Sequence, residues 1–156
     1  MRTPHRRRVP PASRSPAASR RGIHPSQFTV NQCWLIVKAS DAPIRTDEGA
    51  FDVYVLQDAA SMYLFGNLLV PSGSGAAAEE EVNLLLQGAR RVKGEWPQSL
   101  LLPDSAPFRG SFAVVARRNR IPVKVVPESK LAFYVNDVQA AFREHFGRGE
   151  SGVNRR

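Results

Sequence analysis

Residues 31–70 read NQCWLIVKAS DAPIRTDEGA FDVYVLQDAA SMYLFGNLLV, and the interpretation of these forty residues decides the fold. Asn31 to Ala39 is a short apolar run rich in β-formers, which predicts a strand. Ser40 to Gly49 is polar, contains Pro43 and Asp47-Glu48-Gly49, and reads as a connecting loop. Phe51 to Gln57 predicts a second strand, Asp58-Ala59-Ala60-Ser61 a tight turn, and Met62 to Val70 a third strand. Three successive strands with short connections pair as an antiparallel meander.

Downstream of the meander the pattern changes period. Pro71 to Gly75 (PSGSG) is a break, and Ala76 to Lys93 reads as a helix. Glu79, Glu80 and Glu81 fill its first turns and Arg90, Arg91 and Lys93 its last, each sign at the end the helix dipole favours. Val82, Leu85, Leu86 and Ala89 give it one apolar face, and Gly94 ends it. Ser99 to Leu102 predicts a buried fourth strand, Phe108 to Asn119 a second helix, and Ile121 to Val126 a fifth strand that Pro122 and Pro127 bound. Asn136 to Phe146 predicts a third helix, with Val138, Ala141, Phe142 and His145 along one face and Gly147 at its end. A helix between strands forces a crossover, so the fourth and fifth strands should run parallel to the first.

Composition bounds the rest. The chain of 156 residues, 42% of them hydrophobic, suits one domain with a real core. Of the 22 basic residues eight precede Asp41, where there is no acid, and the remaining fourteen match the fourteen acids. The net charge of +8 therefore belongs to the N-terminal segment. Residues 1–26 read as a basic disordered tail, 27–147 as the folded domain and 148–156 as a disordered C-terminal tail. The basic tail suits phosphate binding, a targeting segment, or an upstream mis-assigned start, and the bland readings are preferred. Pro4, Pro10, Pro11 and Pro16 interrupt the amphipathic helix that a mitochondrial presequence needs. No apolar run reaches the length of a membrane span, and a single Cys33 excludes an intrachain disulfide, so a soluble cytoplasmic protein is the expectation.

The order βββαβαβα, with a five-stranded mixed sheet and helices packed on it, resembles the ribonuclease H-like α/β fold, and more narrowly the catalytic core of retroviral-type integrases and DDE transposases. Three pieces carry the likeness besides the order: Asn31, Gln32 and Trp34 opening the first strand; Asp58 with Ser61 and Gly66 between the second and third; and Asp104 ending the fourth strand ahead of Phe108. The resemblance implies three carboxylates converging on two divalent metals, Mg or Mn, which activate a nucleophile and stabilise the leaving oxygen. It places the first carboxylate three residues after Trp34, where this chain has Val37 followed by Lys38; Asp41 lies too far along to replace it. It places the second at Asp104 and the third near Gln139, with Glu144 beyond it and Glu128 before it.

Asp58 reads as a turn-shaping residue or as a ligand, and Asp104 as part of a helix N-terminus, with Ser105 the better cap, or as a ligand. If the domain is active, Asp58, Asp104 and Glu128 are its catalytic candidates and Asp58 and Asp104 its metal ligands; otherwise no cofactor is expected. Arg117, Arg118, Arg120 and Lys124 form a basic cluster suited to DNA phosphates or to a solvated helix end. His5, His24 and His145 lack metal-ligand spacing, and Cys33 reads as a small core residue. The leading expectation is a degenerate, non-catalytic integrase-core-like domain associated with nucleic acid. An active metal-dependent nuclease or strand transferase stands second, and an unrelated α/β protein-interaction domain third.

Overall fold

The computed structural model describes residues 22–73 and 79–154. Its strands are β1 (Cys33–Lys38), β2 (Ile44–Thr46), β3 (Gly49–Asp58), β4 (Leu64–Pro71), β5 (Ser99–Pro103) and β6 (Val123–Val126). Its α-helices are α1 (Glu79–Lys93), α2 (Arg109–Arg118) and α3 (Ala132–Asn154). β3 pairs antiparallel with both β1 and β4, while β5 lies parallel to β1 and β6 parallel to β5. The meander and both crossovers are thus as the sequence predicts.

The sheet has six strands, not five. β2 lies inside the segment read as loop: Ile44, Arg45 and Thr46 pair with Phe51, Ala50 and Gly49 in a hairpin. Its turn is closed by the Thr46 hydroxyl, which accepts from the Glu48 N–H and donates to the Gly49 carbonyl, and by Gly49 at φ 129°. Three residues are too few for a period-two pattern to show. β4 occupies one edge of β3, so β2 and β1 share the other edge end to end, and the sheet remains five strands wide.

Alternation along the strands divides the core in two. Trp34, Ile36, Tyr54, Leu56, Leu100 and Leu102 face α1 and α2, meeting Val82, Leu86 and Ala89 of the first and Phe112, Val115 and Ala116 of the second. Cys33, Leu35, Val37, Val53, Val55 and Leu101 face α3, meeting Tyr134 and Val138. Each fully buried side chain of this size contributes about 1.5–3 kcal/mol of transfer free energy, so the sheet is held from both sides.

Several boundaries move. Residues 22–26, assigned to the disordered tail, are placed against the domain: the Ile23 N–H donates to the Lys130 carbonyl, and Pro25–Gln27 forms a 3-10 turn whose capping side chain is His24. The expectation for residues 1–21 lies outside the described residues. A second 3-10 turn, Glu128–Leu131, leads directly into α3, which starts four residues before the predicted position because Leu131 and Tyr134 anchor it on the sheet. The helix also runs past Gly147, through most of the segment read as a tail, to Asn154; a helical glycine weakens a helix by about 1 kcal/mol without terminating it. Among the described residues no helix is long and apolar enough to cross a membrane.

Candidate functional site

The two candidate aspartates lie at opposite ends of the sheet. β3 runs against β1 with Asp58 opposite Trp34, whereas the parallel register of β5 sets Leu101 beside Leu35 and hence Asp104 at the level of Lys38. Four residues of strand separate those levels, about 13 Å, far beyond the ~4 Å over which carboxylates bridge paired metals. The structure therefore does not bring Asp58 and Asp104 together, which corrects the grouping of these two as metal ligands.

What Asp58 does is visible in its bonds. It is fully buried; Oδ1 accepts from the Asn31 N–H at 2.7 Å, and Oδ2 accepts from the Ser61 N–H at 2.7 Å and the Ser61 hydroxyl at 2.8 Å. Asn31 sits in the left-handed region at φ 67°, which asparagine tolerates, and its Oδ1 accepts from the Trp34 indole at 2.6 Å. The residues that carried the resemblance, Asn31, Trp34, Asp58 and Ser61, thus form one hydrogen-bonded fastener at the start of β1. Tyr134 joins it by donating from its hydroxyl to the Ala59 carbonyl at 2.7 Å, and burial pushes its phenol upward in pKa. Cys33, beside this fastener, is a buried thiol whose pKa is raised by burial.

At the other end, Asp104 and Glu128 are exposed and adjacent. The Glu128 N–H donates to Asp104 Oδ1 at 3.1 Å, and the Ser105 hydroxyl donates to Glu128 Oε1 at 2.7 Å. Ser105 is accordingly not the cap of α2, whose first turn begins at Phe108 without a side-chain cap. Val37, the position the resemblance assigns to the first carboxylate, is sealed among Leu35, Val55, Tyr134 and Val138. Gln139 does reach β1, where its amide donates to the Lys38 carbonyl at 3.2 Å. Asp41 is exposed and pairs with Arg143 at 3.1 Å, and Glu144 is exposed on α3. Among the described residues no three His, Cys, Asp or Glu side chains are grouped to hold a metal ion.

A polar group that the sequence reading missed lies at the same end of the sheet. Lys38 approaches Asp52 at 3.7 Å, an ion pair without a direct hydrogen bond, and leaves Asp52 Oδ1 unbonded. Neighbouring Tyr54 packs edge-on against Phe108 at 4.6 Å. Its phenol is pushed up to about 12 by burial, reinforced by the negative charges of Asp52 and Glu128. The signal was present: residues 52 and 54 share strand parity with residue 38 across the β1–β3 register.

The predicted basic cluster is divided by the fold. Arg118 pairs with Glu79 at 2.9 Å. Lys124, opposite Leu101, projects on the α3 side of β6, whereas Arg117 and Arg120 line a groove on the α2 side, floored by Ala113, Ile121, Pro122, Val123 and Val125, with a volume of about 670 Å³. Among the described residues neither of these two arginines, nor Lys124, has an acid within 4.0 Å.

No family model and no curated protein matches the chain. Solved structures similar to it include the HTLV-2 integrase catalytic core domain in complex with magnesium. Its dimeric form matches with TM-score 0.45 and 12% identity over 63% of this chain and 62% of that one. Its trimeric form matches with TM-score 0.44 and 12% identity over 62% and 60%. A simian T-cell lymphotropic virus intasome in complex with the PP2A regulatory subunit B56 gamma matches with TM-score 0.44 and 15% identity over 68% of this chain and 34% of that one. The chain thus spans less than two thirds of each of these proteins. The likeness is one of fold.

Proposed function

We propose that this chain is a non-cleaving domain of the integrase-core type, which keeps the scaffold and associates with nucleic acid through the basic groove of α2 and β6. The observation that carries the first half is Val37. Two-metal phosphoryl transfer needs converging carboxylates, because hard divalent cations take oxygen ligands that offset their charge. A fully buried valine offers none, and the apolar shell around it would penalise any charge placed there. Gln139 supplies an amide where an acid is needed, and its nitrogen is held by the Lys38 carbonyl. Asp104 and Glu128 make a pair, and Asp58 stands at the wrong end of the sheet to complete it.

The second half rests on Arg117 and Arg120, which line a groove without an acid to neutralise them. Guanidinium groups in that setting suit phosphate oxygens. The test has two arms. Incubating the full chain with supercoiled DNA and Mg²⁺ or Mn²⁺ should give no nicking; nicking that disappears in Asp104→Asn would replace this reading with the metal-dependent nuclease. In a binding titration against short duplex DNA at increasing salt, Arg117→Ala with Arg120→Ala should flatten the salt slope by about two contacts. An unchanged slope would move the contact to residues 1–21 or remove it.

A further inference from the structure

Among the described residues β4 and β6 are the outermost strands of the five-strand width, and they are finished differently. β6 is four residues long, flanked by Pro122 and Pro127, and carries Lys124, features that deter strand addition. β4 is eight residues long and uncharged, and among the described residues β3 is its sole partner. The Ser72 N–H donates to the Ala50 carbonyl, and the register continues through Asp52 with Val70 and Tyr54 with Leu68. Alternation then directs the backbone groups of Val70 and Leu68 toward β3 and those of Asn67 and Leu69 outward.

Apolar surface is concentrated at that edge. Tyr63 and Leu69 are each 52% exposed and Leu64 49%, and Leu84 on α1 above them is 64% exposed. α1 lies close to the strand because Gly66 leaves room: a Cβ there would stand 2.9 Å from Leu85 Cδ1. The groove between them, about 470 Å³, is lined by residues 65–69 and by Glu81, Leu84, Leu85 and Gly88. Glu81, Leu84, Gly88 and Arg91 follow one another at spacings of three and four, so they form a single stripe on α1 overhanging the open edge. Among the described residues Glu81 and Arg91 have no ionic partner within 4.0 Å.

We propose that this edge is where a second copy of the chain docks, β4 against β4 about a two-fold axis, joining two sheets into one. The charge pattern argues for self-association: the stripe is acidic at one end, basic at the other and apolar between. A two-fold axis reverses it, setting Glu81 of one copy toward Arg91 of the other and Leu84 toward the bare surface at Gly88. Such a contact is isologous, with each patch meeting its own image. It also pairs the outward N–H and C=O groups of Asn67 and Leu69 and covers the four exposed apolar side chains.

Sedimentation equilibrium of the full chain tests this. A dimer is expected. Asn67→Pro, which removes an N–H directed away from β3, and Leu69→Lys, which places a charge in the contact, should each yield a monomer with an unchanged circular dichroism spectrum. Glu81→Lys alone and Arg91→Glu alone should each weaken association by at least about tenfold, and the two together should restore it. A chain that stays monomeric at its highest soluble concentration overturns the proposal. So does a dimer indifferent to Asn67→Pro and Leu69→Lys, or a charge swap without rescue, since either leaves the edge to a different occupant.

Discussion

Asp58 and Asp104 close the two ends of one sheet, the first fully buried with three hydrogen bonds of 2.7 to 2.8 Å, the second exposed and accepting one of 3.1 Å. The buried carboxylate is a fastener: its donors come from Asn31 and Ser61 on either side of the strand pair, so its charge is satisfied and its geometry is immobile. The exposed one joins β5 to the turn before α3, and water can replace each of its contacts. Both resemble family residues in sequence, yet burial separates a structural role from an available one.

Placing a carboxylate at the buried C-terminal end of β1 is the strongest way to break that contrast. Val37→Asp puts a charge among apolar side chains without donors, and a loss on the order of 4 kcal/mol is expected from urea denaturation. An unchanged midpoint would show that the position has access to water or cations. Asp58→Ala comes next: it strands the buried Asn31 N–H and the part-buried Ser61 N–H and should cost about 3 kcal/mol by the same measurement. If the loss were under about 1 kcal/mol, the fastener would be ornamental. Asp104→Asn should cost less than about 1 kcal/mol, as an exposed group with a single bond.

The smallest effect appears only in alkali. Tyr54 holds its proton up to about 12, above the ordinary 10.0, so the folded state binds that proton more tightly than the unfolded chain. Its contribution is complete below the unfolded value and is lost as pH rises through the folded one. Tyr54→Phe should therefore lose less stability than wild type between about pH 10 and about pH 12, measured as the shift in urea midpoint. Equal losses would mean that neither burial nor the charges of Asp52 and Glu128 hold the proton on this phenol.

Much of this was legible before the structure. The end charges of α1, Glu79 to Glu81 and Arg90 to Lys93, located that helix because the dipole acts over one turn of local sequence. The run FDVYVLQ, rich in β-forming residues, located β3. β2 was missed because three residues carry no period, and the early start of α3 because it depends on Leu131 and Tyr134 finding a site on the sheet.

The sequence alone determined the order of elements apart from β2, and the parallel and antiparallel sense of the strands, since each follows from periodicity within a few residues and from the handedness of crossovers. Tertiary structure decided the company each side chain keeps. Asn31 meets Asp58 across 27 residues and Gln139 meets Lys38 across 101, pairings that sheet register and the docking of α3 create and no local pattern encodes. For the same reason Asp58 and Asp104, alike as letters, became one a buried anchor and the other a surface acid: the register of β1 with its two neighbours sent them to opposite ends.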